Sequence, residues 1–150
     1  MSDIRREQSL VVIGAGVMGN GIAHVAAMAG FRTVLTDISS AALENARARI
    51  EANLEKGVTL GKVERDAAQG ALKRLALETD FTTVVGDAQI VIEAVPEKME
   101  LKQSIFESLG RLCGPEVMLG TTTSSLPITA IAAAARYPER VVGLHFFNPV

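Results

Sequence analysis

The feature that most constrains this chain is a change of period near its start, punctuated by glycines. Leu10-Val11-Val12-Ile13 is a short, largely β-branched run. Gly14, Gly16 and Gly19 follow in G-x-G-x-x-G spacing, and Met18 to Ala29 is an apolar segment with helical spacing. A buried parallel strand, a tight turn and a helix satisfy that pattern together. Each glycine then has its own task. Gly14 allows the turn off the strand, Gly16 lets a pyrophosphate approach the backbone, and Gly19 lets the helix pack closely on the strand. The amides near Val17 and Met18, at the helix start, face that phosphate with the favourable end of the helix dipole.

A second apolar run, Thr33-Val34-Leu35-Thr36, ends in Asp37, about 20 residues past the glycines. A carboxylate there binds adenosine ribose hydroxyls and repels a 2′-phosphate, which favours NAD over NADP. Two blander readings compete. Gln8 to Phe31 carries no Lys, Arg, Asp or Glu, so a hydropathy window reads it as a membrane span. The glycines, Asn20 and His24 interrupt it too often for that. A glycine turn without a ligand is the other reading, and the acid downstream argues against it.

The remaining chain alternates helical and strand patterns. Ser39 or Ser40 is placed to cap a helix over Ala41 to Lys56, with Leu43, Ala46, Ile50 and Leu54 as its apolar stripe and Gly57 as its stop. Thr59 to Lys62 reads as a loop. Val63 to Leu75 reads as a second helix, acidic early and basic late, and Leu75 to Thr79 as a strand. Phe81 to Val85 is a short turn or helix. Ile90 to Val95 is a buried strand stopped by Pro96. Met99 to Leu112 is a helix with Leu101, Ile105, Phe106, Leu109 and Leu112 inward. Val117 to Leu119 is a strand, Gly120 to Ser125 a polar loop, Pro127 to Ala135 a helix, and Arg140 to Phe146 a last strand.

This alternation implies one domain over residues 1–150: an α/β, doubly wound parallel sheet of the Rossmann type with right-handed crossovers. Ligands on such sheets sit beyond the carboxyl ends of the strands. The candidate polar residues fall there: Gly14 to Gly19, Asp37, Glu93 to Glu97, Thr121 to Ser125 and His145 to Asn148.

Charge and composition narrow the partners. A net charge of −2 gives no electrostatic argument for nucleic acid or an acidic membrane surface, and without Trp there is little for single-strand stacking. Cys113, the one cysteine, has no internal disulfide partner, and Met1 to Glu7 reads as a solvated lead-in without the apolar core of a signal peptide. Both fit a cytoplasmic protein. His24 has no metal partner nearby in the sequence, and no metal site is expected.

Four pieces together give a more specific pattern: Gly14-Ala15-Gly16-Val17-Met18-Gly19-Asn20-Gly21 with Asp37, Ile92-Glu93-Ala94-Val95-Pro96-Glu97, Thr123-Ser124-Ser125-Leu126, and His145-Phe146-Phe147-Asn148-Pro149-Val150. Over nearly its whole length the chain resembles the NAD-binding domain of the 3-hydroxyacyl-CoA dehydrogenases, including 3-hydroxybutyryl-CoA dehydrogenases. The resemblance implies reversible hydride transfer between an (S)-3-hydroxyacyl-CoA and NAD, in fatty-acid β-oxidation or butyrate metabolism. It implies His145 as catalytic acid/base and Ser124 as the serine touching substrate oxygen and nicotinamide. It also implies Asp37 on the adenosine ribose, and Ala94, Val95, Glu97, Lys102, Thr122 and Asn148 on the cofactor side. Asn53 and Lys56 fall near its CoA-contacting positions. A histidine suits the base because its reference pKa of about 6.5 lies near working pH, and a serine hydroxyl can hydrogen-bond a developing oxyanion.

Each residue also has a plainer reading. Ser124 and Ser125 can cap a helix, Glu93 can be a buried structural acid, Glu97 can favour a helix start, and Lys102 can lie on a solvated helix face. Two departures from the resemblance stand out. Thr122 replaces the usual Asn two residues before the serine. The carboxylate that orients the histidine, and a helical second domain carrying the dimer interface, are expected past Val150. The chain alone is therefore expected to bind NAD and turn over weakly or not at all, with a homodimer expected for a longer form. The alternative is a stand-alone NAD(H)-binding module or redox sensor.

Overall fold

The uncharged run after Gln8 folds as a strand buried on both faces. β1 (Ser9–Ile13) is buried at every position. The computed structural model describes residues 8–150; the lead-in expected for Met1 to Glu7 lies outside the described residues. After β1 come α1 (Val17–Met28), β2 (Arg32–Thr36), α2 (Ser40–Thr59), α3 (Arg65–Arg74) and β3 (Leu75–Glu78). Two 3₁₀ turns lead to β4 (Ile90–Glu93), α4 (Met99–Leu112), β5 (Met118–Thr121), α5 (Ile128–Ala132) and β6 (Val141–Gly143).

The strands form one sheet in the order β3-β2-β1-β4-β5-β6, and every pairing is parallel. The chain winds outward from β1 to β3, returns to β4, and winds outward the other way. The reversal between β1 and β4 opens a crevice at their carboxyl ends, where such sheets bind ligands. One face carries α1, α2 and α3 over a core of Val12, Ile22, Leu35, Ile50 and Leu54. The other carries α4 and α5 over Val11, Val91, Phe106, Leu109 and Leu119. This is the doubly wound Rossmann arrangement, and no helix among the described residues is long and apolar enough to cross a membrane.

Several boundaries differ from the sequence pattern for physical reasons. Ser39 caps α2, its Oγ accepting from the Ala42 amide at 3.2 Å. Gly57 does not end that helix, which runs on to Thr59. A Cβ on Gly57 would lie 2.8 Å from Val63 Cγ2, so this glycine serves the close return of the chain, and the turn falls at Gly61 with φ +65°. β4 stops at Glu93 rather than Val95 because the Val95 amide donates to the Glu93 side chain at 2.8 Å. α5 ends at Ala132 rather than Ala135; the chain bends there to cross α4, where a Cβ on Gly110 would lie 2.4 Å from the Arg136 nitrogen. β6 keeps only three residues, because β5 beside it is short.

α4 has the expected ends but a different inner face. Leu101 and Leu112 are 38% and 41% exposed, whereas Lys102 is fully enclosed with Ile105, Phe106 and Leu109. The solvated-face reading of Lys102 is overturned.

Candidate functional site

The glycine turn is built by close backbone approach. Gly14 has φ +107°, and a Cβ on it would lie 2.5 Å from the Ala94 carbonyl oxygen at the end of β4. On Gly19 a Cβ would lie 1.7 Å from the Gly14 oxygen. Gly16 meets nothing within 4 Å, so the space it leaves is open to a ligand. Gly16 is also the N-cap of α1, with no side-chain cap and no acid in the first turn. The helix bonding begins with the Asn20 amide on the Gly16 carbonyl at 2.9 Å, so the amides of Val17, Met18 and Gly19 lack a carbonyl one turn back. Unmatched amides beside an open cradle suit a diphosphate. The Asn20 side chain is buried and its Nδ2 donates to the Ala46 carbonyl of α2 at 2.7 Å.

Asp37 closes the far side of this turn. One carboxylate oxygen accepts from the Ala15 amide and the other from the Ser39 amide, both at 2.9 Å. The sequence pattern did not reveal this second task of holding the turn. A carboxylate offers about four acceptor sites, so capacity remains for ribose hydroxyls. Ala94 and Val95 are half-buried beside Gly14, and the Ala94 amide donates to the Ile13 carbonyl at 2.7 Å.

The second half of the edge is built by side chains. Ser124 Oγ lies 3.2 Å from His145 Nε2, and both residues are exposed. They come from loops after different strands, β5 and β6. The Phe147 ring stands 4.7 Å from the imidazole, tilted by 55°. Thr122 is half-buried, with its amide on the Glu93 carbonyl at 3.1 Å. Asn148 is exposed in the segment after β6.

Glu97 flanks the serine. Its Oε1 accepts from the Thr123 hydroxyl and, at 3.5 Å, from the Ser125 hydroxyl. Thr123 Oγ1 in turn accepts from the Leu126 amide at 2.9 Å. Partial burial pushes the Glu97 carboxyl up. The Thr123 hydroxyl, the Lys102 charge and the Ser125 and Leu126 amides outweigh that and leave it below the usual carboxylate range.

Beneath lies a group the sequence offered only as a possible structural acid. Glu93 and Lys102 are both fully enclosed and paired at 2.8 Å. As placed, Lys102 reaches a cofactor only through Glu97, 3.6 Å from its ammonium. Asn53 and Lys56 are exposed on the outer side of α2, off its buried stripe, and are not part of the serine–histidine cluster. His24 is half-buried on α1, where burial lowers its pKa; Cys113 is buried at the C-terminal end of α4, where burial raises its own. Among the described residues, no three His, Cys, Asp or Glu side chains converge as metal ligands do.

Comparisons with known proteins bear on this edge. Residues 9–150 match a family described as 3-hydroxyacyl-CoA dehydrogenase, NAD binding domain. The chain is 48% identical over 142 residues to a 3-hydroxyadipyl-CoA dehydrogenase of Escherichia coli, covering 95% of this chain and 30% of that protein. It is 45% identical over 139 residues to a 3-hydroxybutyryl-CoA dehydrogenase of Bradyrhizobium diazoefficiens, covering 93% of this chain and 47% of that one. A crystal structure of a 3-hydroxybutyryl-CoA dehydrogenase from Escherichia coli K12 superposes with a TM-score of 0.91 at 48% identity, over 95% of this chain and 30% of the other. The chain thus spans 30% to 47% of these relatives' length.

Proposed function

Because the chain belongs to the 3-hydroxyacyl-CoA dehydrogenase family and matches its NAD-binding domain, we propose that it holds NAD for oxidation of an (S)-3-hydroxyacyl-CoA to the 3-oxoacyl-CoA. The observation that carries this reading is the approach of Ser124 to His145, 3.2 Å apart, on the same sheet edge as the glycine turn and Asp37. The open cradle at Gly16 and the unmatched amides of α1 fit a diphosphate. Asp37 fits the adenosine ribose, and Ala94, Val95, Glu97, Thr122, Ser124 and Asn148 fit the nicotinamide side.

The division of labour follows from the chemistry. NAD, when bound, supplies the hydride acceptor. His145 takes the hydroxyl proton of the alcohol as the carbonyl forms, and returns it in the reverse direction. Ser124 donates to the substrate oxygen, where negative charge develops. Asn53 and Lys56 on α2 would meet the CoA moiety. A full rate needs a group that orients the imidazole, as a base without one loses much of its effect.

The test uses the chain with NADH and acetoacetyl-CoA. Saturable NADH binding is expected, with a slow acetoacetyl-CoA-dependent oxidation that His145→Gln abolishes while NADH binding persists. Turnover unchanged in His145→Gln would remove the histidine from its role. NADH binding with neither acetoacetyl-CoA binding nor acyl-CoA-dependent turnover would favour a redox-sensing module.

A further inference from the structure

We propose that Glu93 is a positioning residue for the nicotinamide half of the site, acting through Lys102 and Glu97 on the loop that carries Ser124. The inference rests on the NAD-binding reading above and adds a residue which that reading does not use.

The geometry is a closed set of bonds at the end of β4. Glu93 Oε1 accepts from Lys102 Nζ at 2.8 Å and from the Val95 amide at 2.8 Å. Its Oε2 accepts from Lys102 Nζ at 3.0 Å and from Thr121 Oγ1 at 2.7 Å. One carboxylate therefore ties together the loop after β4, the first turn of α4 and the last residue of β5. Lys102 extends the set outward, because its ammonium also stands 3.6 Å from Glu97 Oε2. Glu97 accepts the hydroxyls of Thr123 and Ser125, the two neighbours of Ser124.

The Val95 amide and the Thr121 hydroxyl need an acceptor at this position, but not an ion pair. Two enclosed charges are costly to desolvate, and an apolar pair of similar volume often holds a core as well or better. An apolar pair cannot place a charge beneath Glu97. Glu97 is partly exposed, with 39% of its side chain open, and alone would sample several rotamers. A fixed ammonium below it selects one. That rotamer then sets the hydroxyls on both sides of the serine that faces His145. The glycine turn meets the end of β4 through backbone alone, Gly14 lying against the Ala94 carbonyl and the Ala94 amide donating to the Ile13 carbonyl, and no side chain of the Glu93 set reaches it. Damage to the pair should therefore separate the two halves of the ligand.

The test compares NADH with AMP, which carries the adenosine half only. In Glu93→Gln/Lys102→Met, which removes both charges and keeps a polar partner for the Val95 amide and the Thr121 hydroxyl, the melting temperature is expected near that of wild type, AMP affinity within twofold of it, and NADH affinity at least tenfold weaker. NADH affinity within twofold of wild type in that variant would overturn the inference, as would AMP and NADH weakening in equal proportion. If the double variant fails to fold, Thr123→Val decides, since it leaves the buried pair intact and removes the shorter link between Glu97 and the serine loop, leaving only the 3.5 Å contact with Ser125. It is expected to weaken NADH at least fivefold with AMP unchanged; unchanged NADH affinity overturns the inference. A wild-type chain that binds AMP and not NADH removes the role as well, whereas one that binds neither removes the NAD reading itself.

Discussion

The two sides of the carboxyl edge are made by opposite means. On the glycine side the site consists of backbone and of missing side chains: Gly14 and Gly19 are small because carbonyls press on them, and Gly16 is small although nothing presses on it. On the serine–histidine side the site consists of side chains held by other side chains, down to an enclosed ion pair. A backbone-built site is rigid because the fold is rigid. A side-chain-built site is only as rigid as its supports, and here the support is charged.

The contrast is sharpest between two glycines on one turn. A Cβ on Gly19 would lie 1.7 Å from the Gly14 oxygen, so backbone must move. Gly19→Ala is expected to lose about 3 kcal/mol or more of stability, as overpacking against backbone does, and with it all NADH binding. Gly16→Ala meets open space and is expected to melt like wild type while losing NADH binding alone. Thermal melts beside NADH titrations check both. A Gly19→Ala chain as stable as wild type would show that the turn yields, and the backbone side would not be the rigid one.

The next largest effect falls on the other side. Lys102→Met leaves the enclosed Glu93 charge without a counter-ion, which costs about 3–5 kcal/mol, and Glu93→Gln costs less because Lys102 keeps Glu97 at 3.6 Å. Denaturant unfolding should show the larger loss in Lys102→Met and its recovery in Glu93→Gln/Lys102→Met, which leaves no enclosed charge. A Lys102→Met loss under about 1 kcal/mol would mean water enters beneath Glu97, contrary to the enclosure of both side chains.

Asp37 lies between the two strategies, a side chain whose present bonds are to backbone. Asp37→Asn keeps one acceptor for those amides and loses the negative charge. Stability is expected to fall by about 1 kcal/mol, the worth of a hydrogen bond. NADH affinity is expected to drop about tenfold, as loss of a charge-assisted bond allows, and the preference against NADPH to narrow. Binding titrations with both cofactors read this directly; an unchanged ratio would take discrimination away from Asp37.

The same division explains what the sequence could reveal. A glycine required by close approach is visible as a glycine, so the strand, turn and helix around Gly14 to Gly19 were legible, as was the alternation that winds the sheet. The inner face of α4 was not. Its period is satisfied by positions 102, 105, 106 and 109, but hydrophobicity points to Leu101 instead of a lysine, and a buried lysine is predictable only once Glu93 is known to face it. Ser124 and His145 were legible through the family resemblance alone, since nothing in their spacing states that two loops meet. Gly57 misled because a glycine near a helix end reads as a stop, whereas here it admits Val63.

The smallest expected effect is one of pH, and it belongs to the side-chain-built half. Glu97 titrates below its ordinary value: burial opposes this, but the Thr123 hydroxyl, Lys102 and two amides prevail. The unfolded chain, with its carboxyl near about 4.3, thus binds a proton at a higher pH than the folded one. The stability Glu97 contributes is complete above that unfolded value and is lost as pH falls through the folded value. Discounted for its exposure to solvent, the contribution is under about 1 kcal/mol. Glu97→Gln should melt slightly below wild type at neutral pH, and the two curves should converge in acid. NADH affinity should follow the same course, because the protonated carboxyl no longer pairs with Lys102 or accepts both hydroxyls beside Ser124. AMP affinity should show no such step attributable to Glu97. Parallel loss of AMP and NADH affinity in wild type, removed by Glu97→Gln, would mean the two sides of the edge are coupled through this carboxylate rather than built independently.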